Sequence, residues 1–99
     1  MLETKEEILD RDAKIKIRLI DTHDGVKFAI VYLLFLDNWV DIARIDNYSH
    51  EGKEGTHIHR FCEERVEFRE MGFDEARETL IRIGDGIRER IKNASNRNC

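Results

Sequence analysis

Proline and glutamine are absent from this 99-residue chain, cysteine occurs twice and tryptophan once. The missing glutamine, the missing proline and charges of mixed sign along most of the chain lean toward a heat-adapted source, where ion-pair networks are favoured and thermolabile amides are fewer; asparagine is still present five times. Cys62 and Cys99 are poorly placed for a disulfide framework, since the second is the final residue, which points to a reducing, cytoplasmic setting. The longest apolar run, Phe28 to Leu36, is far shorter than the roughly 20 residues that span a bilayer. The opening Met-Leu-Glu-Thr-Lys-Glu-Glu is acidic where a secretory signal would be basic, so neither an export signal nor a membrane association is expected. A net charge of −4 argues against tight, indiscriminate binding to polyphosphate.

What is present fits one soluble domain over 1–99: 40% hydrophobic and 38% charged residues, enough to bury roughly two-thirds of the unfolded surface. The charge is unevenly spread. Residues 1–12 hold five acids against two bases, and residues 86–99 four bases against one acid. The basic end suits an RNA or an acidic partner as well as it suits a solvated helix terminus.

Along the chain, 1–12 reads as a short helix or frayed lead-in. Lys14, Lys16 and Arg18 then alternate with Ile15, Ile17 and Leu19, the pattern of a half-buried strand. Asp24-Gly25 supplies a tight turn carrying His23, and Val26 to Leu36 is apolar on both faces, as in a central strand. In the next strand Val40, Ile42, Arg44 and Asp46 are expected on one face and Trp39, Asp41, Ala43, Ile45 and Asn47 on the other. Ser49 to Thr56 reads as a mobile loop. His57-Ile58-His59 opens a last strand to about Phe68, with both imidazoles on one face. Apolar positions from Ala76 to Ile91, three to four apart, make an amphipathic helix in which Gly84 and Gly86 mark a bend or a close approach to the sheet. Residues 93–99 form a frayed tail. The expected fold is α+β: a four-stranded, mostly antiparallel sheet of 14–20, 26–36, 39–47 and 57–68, with a C-terminal helix of about 73–92 packed on one face. The uncovered face, thought to be rich in Phe, Tyr and Leu of the second strand, is expected to be buried in a homodimer or under a partner.

Three of the four histidines and an Arg-x-Asp-Asn sequence fall between Arg44 and His59, on and beside a loop. This order of Arg44, Asp46, Asn47, His50, His57 and His59, followed by a strand and a Phe-Asp-Glu-Ala-Arg-Glu-Thr-Leu helix, resembles the TumE-like toxins of bacterial and archaeal toxin–antitoxin systems. The family motif has Trp where Ile45 stands and a histidine pair where His50 stands alone. The resemblance covers about 41–87 and implies growth inhibition relieved by a cognate antitoxin, with those six residues as the functional set.

Three chemistries remain open. In one, His50, His57 and His59 act as general acid and base on RNA while Arg44 holds the phosphate, a metal-free ribonuclease. In another, the same three imidazoles, with Asp46, ligate a divalent metal such as zinc. In the third they are hydrogen-bonded rim residues beside an Arg44–Asp46 salt bridge, and the domain is a non-catalytic regulatory or metal-binding interaction module. Cys62 has no neighbour that would lower a thiol pKa and is not read as a nucleophile.

Overall fold

The computed structural model describes residues 2–23, 25–48 and 55–94. Six strands precede one helix: β1 (Leu2–Asp10), β2 (Ala13–Thr22), β3 (Gly25–Phe35), β4 (Trp39–Asp46), β5 (His57–Arg60), β6 (Glu67–Phe68) and α1 (Phe73–Ala94). The strands lie side by side in chain order, each antiparallel to its neighbours. The α+β class and the single helix stand as expected, but the sheet has six strands. The lead-in is β1, not a helix; it pairs with β2 from Leu2↔Ile20 to Asp10↔Ala13. The long strand expected to Phe68 breaks into β5 and β6, because Cys62 takes a left-handed backbone angle, φ 66°, that no strand continues through.

Side-chain alternation sorts the sheet into two faces. Ala13, Ile15 and Ile17 of β2, Phe28, Ile30, Tyr32 and Leu34 of β3, Ala43 and Ile45 of β4, and Ile58 of β5 are all buried and meet Ala76, Leu80, Ile87 and Ile91 of α1. The aromatic side of β3 is therefore the covered side. The open face carries the smaller or half-buried Ala29, Val31 and Leu33 of β3, with the exposed Phe35 at its end.

A slip of one residue in the β3–β4 register reshapes this pattern. Tyr32 faces Ala43 but Leu33 faces Asp41, so Ile42 is an extra residue in β4. Ile42 and Ala43 are both buried as a result, and the alternation changes phase between them. Val40, opposite Leu34, belongs to the helix side, whereas Trp39 and Asp41 share the open face with Arg44 and Asp46. The strict alternation expected across β4 fails at this point. The bulge's own carbonyl is satisfied by Phe61, whose backbone N–H donates to Ile42 at 2.9 Å.

The helix sits close to the sheet because Gly84 lies directly over the ring of Tyr32, where a Cβ would collide with ring atoms. The Tyr32 hydroxyl donates to Asp85 Oδ1 at 2.7 Å. Burial, reinforced by that carboxylate, pushes the phenol's pKa well up. Ion pairs fix the helix laterally. Arg77 binds Glu7 of β1, Arg88 binds Asp10 at 3.1 Å and Asp12, and Lys92 binds Asp12 at 2.7 Å. The acidic start and the basic end of the chain thus neutralise one another across the β1–β2 hairpin.

Gly84→Ala is expected to lower thermal stability by about 1–3 kcal/mol, because overpacking against a buried ring outweighs the roughly 1 kcal/mol gained in helix propensity. Differential scanning calorimetry checks the sign; a stabilised variant would refute the close approach. Arg77 holds Glu7 below its ordinary 4.5, the Arg11 backbone N–H and then Arg88 hold Asp10 below 3.8, and Lys92 with Arg88 holds Asp12 below 3.8. Carboxylates depressed in the fold stabilise it fully above those values and lose that contribution as pH falls through the lowered ones. Denaturant midpoints measured from pH 6 down to about 2 should therefore fall steeply below about pH 4, and less steeply in Arg88→Ala.

Candidate functional site

The open face acquires its chemistry from cross-strand register, since residues directly opposite in an antiparallel pair share a face. One row across the sheet runs Glu6, Lys16, Val31, Arg44 and His59; the next runs Thr4, Arg18, Ala29, Asp46, His57 and Phe68. Long cationic side chains on β2 and imidazoles on β5 flank the short Ala29 and Val31 of β3. The low centre leaves a groove of about 570 Å³, lined by those small residues together with Thr4, Lys16, Arg18, Arg44, Asp46, Tyr48 and His59. From β2 to β5 is three strand spacings, about 14 Å at ~4.8 Å each, which suits a nucleotide-sized ligand better than a single ion.

Asp46 is the hub. Its side chain is 11% exposed. His57 Nδ1 stands 3.4 Å from one oxygen, and Arg44 Nε at 3.7 Å and His59 Nε2 at 3.8 Å approach the other. The Tyr48 backbone N–H also donates to it at 3.2 Å. These side-chain separations are those of ion pairs rather than of short hydrogen bonds. The carboxylate therefore biases three cationic or protonatable groups at once, and two of them reach the groove.

The two strand histidines differ in access. His57 is 1% exposed, with its ring edge-on to Phe68 at 4.8 Å between centroids. The His59 side chain is 26% exposed and lines the groove. His57 can orient Asp46, and His59 can meet a ligand. The two imidazoles share one face as expected, but Phe68 of β6 packs against His57 and leaves only His59 accessible.

Of the six residues singled out from the sequence, Arg44, Asp46, His57 and His59 come together. Asn47 does not line the groove: its Oδ1 accepts from the Phe28 backbone N–H at 2.7 Å, its Nδ2 donates to Val26 O at 3.2 Å, and its own N–H donates to Phe28 O at 3.1 Å. Asn47 extends the β3–β4 ladder and so fixes the strand end on which Asp46 sits. His50 lies outside the described residues, as does most of the loop thought to be mobile. Ile45, at the position of the family's tryptophan, is core, opposite Ile30 and Ile58.

Lys16, Arg18 and Tyr48 were not singled out. Alternation marks the two cations only as the polar side of a half-buried strand, and only the β2–β3–β4 register brings them to Arg44. Tyr48 follows Arg44 and Asp46 at the same two-residue spacing, a signal available in the sequence. Its hydroxyl is buried with no hydrogen-bond partner among the described residues. No three His, Cys, Asp or Glu side chains among the described residues converge to hold a metal ion. The metal reading also requires His50, which lies outside them.

No protein-family model matches the chain, and neither a curated protein nor a solved structure matches it. No helix among the described residues is long and apolar enough to cross a membrane.

His57→Ala should cost about 1–3 kcal/mol of stability, as a buried ring lost beside an acid, while His59→Ala should stay within about 0.5 kcal/mol of the parent. Urea unfolding of the two variants checks this, and equal losses would contradict the division between buried and accessible imidazole.

Proposed function

We propose that this chain is a toxin-like component of a toxin–antitoxin pair and acts as a metal-free ribonuclease. The observation that carries the reading is the arrangement around Asp46: one carboxylate beside an accessible and a buried imidazole, in a groove whose walls bear Lys16, Arg18 and Arg44. Phosphodiester cleavage needs a group to take a proton from the attacking hydroxyl, a group to give one to the leaving oxygen, and cations on the phosphate. His59, the accessible imidazole on the groove, takes the 2′-hydroxyl proton. Arg44 and Arg18 hold the non-bridging oxygens, since guanidinium matches phosphate in a two-pronged geometry. The hydroxyl oxygen bonds to phosphorus as the 5′ oxygen departs, leaving a cyclic phosphate. The imidazole of His50 is assigned the proton that the departing oxygen takes up.

A non-catalytic regulatory interaction module is the second reading. The Arg44–Asp46 ion pair that it requires is present at 3.7 Å. A cognate antitoxin, RNA as substrate, a homodimer and a cytoplasmic location belong to this proposal.

Incubation of the purified chain with total RNA tests the reading. Cleavage should survive a strong chelator, follow a bell-shaped pH profile, and fall by roughly 10²–10⁴-fold in His59→Ala, the range of one acid–base group. Loss of cleavage on chelation, restored by zinc or manganese, would move the site to metal chemistry. Intact RNA together with unchanged growth on induced expression would favour the interaction module.

A further inference from the structure

A second groove lies on the other side of the sheet, between α1 and the β5–β6 edge, with a volume of about 620 Å³. Four arginines rim it: Arg60 and Arg69 from the strand side, Arg82 and Arg90 from the helix. In a chain of net charge −4 this is a concentrated positive site. Arg77, Arg88 and Lys92 of the same helix are engaged with the β1–β2 hairpin, so their charge is already answered. Arg82 and Arg90 enter no ion pair among the described residues, and Arg60 and Arg69 share one carboxylate, Glu67, at 2.9 and 3.9 Å. Among the described ion pairs, the four guanidiniums of the rim share a single carboxylate, Glu67.

The floor is apolar. Ile83 and Ile87 form it, with Gly86 between them at a position where an added Cβ would meet nothing within 4 Å. Arg82 and Arg90 are eight residues apart on one helix, hence about 12 Å along its axis. That length matches roughly two turns of a docked helix, with its own charges able to meet arginines on both flanks. A nucleic-acid backbone is charged and hydrated throughout and has nothing to set on an isoleucine floor, whereas an amphipathic acidic segment has an apolar stripe for the floor and carboxylates for the rim.

From this charge complementarity and apolar floor we infer that the groove is a docking site for an acidic amphipathic helical segment of another protein. It is separate from the Asp46 groove, on the opposite face of the sheet, and does not depend on the ribonuclease reading. Guanidiniums on both walls pair with the segment's carboxylates, and its apolar stripe covers the half-buried Ile83 and fills the open space over Gly86.

Fluorescence anisotropy on the full chain tests this with a labelled 12-residue helical peptide carrying leucines along one stripe and glutamates on both flanks. The controls are the same peptide with leucine replaced by serine, its lysine counterpart, and a 12-nucleotide oligouridine. Saturable binding of the acidic leucine peptide is expected, weakening with salt and at least roughly tenfold tighter than each control, about 1.4 kcal/mol. The double variant Arg82→Glu/Arg90→Glu should lose that binding by roughly the same factor. Gly86→Leu keeps every charge, removes a helix glycine and fills the groove, so it should also abolish binding while circular dichroism shows the fold retained. Absence of saturable binding, binding indifferent to both variants, or tighter binding of oligouridine that the arginine reversals abolish would overturn the inference.

Discussion

The one-residue bulge at Ile42 is the constraint on which the candidate site depends. β4 begins with Val40 facing the helix and ends with Ile45 facing the helix, an odd separation that a regular strand cannot accommodate, because its side chains alternate with period two. Without the extra residue, whichever half stayed in register would drive the other half to the wrong side. Arg44 and Asp46 would enter the helix-side core, or Val40 would leave it. The bulge lets both halves keep their preferred solvent. It also adds local twist beside the site, as bulges near functional positions do.

Around that point, the two faces of the sheet do different work with the same strands. The helix face is apolar and tightly seated, with Gly84 permitting contact and Tyr32 filling the space beneath it. The open face is polar, with a shallow centre because β3 presents Ala29 and Val31 there. The charge asymmetry of the sequence is absorbed mainly on the helix side. Arg88 and Lys92 hold the acidic β1–β2 hairpin, which keeps Thr4 and Lys16 in line with Arg44 and His59.

Much of this was legible from the residues, and the failures have physical causes. The Lys14-to-Leu19 alternation, the turn before Gly25, the helix from its apolar spacing and the close approach at Gly84 all follow from local pattern. β1 escaped because an edge strand exposed along nearly its whole length has no buried stripe to mark its period. The phase change in β4 escaped because Ile42 and Ala43 are both apolar, so either can be assigned to the core. The end of β5 escaped because a non-glycine residue adopts the left-handed angle at Cys62. In the site, Arg44, Asp46, His57 and His59 were found because they lie within one hairpin. Lys16 and Arg18 were missed because their place beside Arg44 is a property of register across three strands.

The position of Asp46 is itself informative. Its neighbours across the strands are Ala29 and His57, and Phe68 lies beyond. A carboxylate on a side chain only 11% exposed, held by side-chain contacts of 3.4–3.8 Å, is a poor way to add stability. Desolvation offsets much of the attraction in such pairs, and apolar groups of similar size are often as good or better. Two residues on, the Tyr48 hydroxyl is buried with no partner among the described residues, a second polar group that stability alone does not require. Packing would be served by an aliphatic residue here, as it is by Ile45 on the other face. The coincidence of a costly carboxylate, an accessible imidazole and three cations around one groove therefore weighs toward a ligand whose binding or turnover needs that charge.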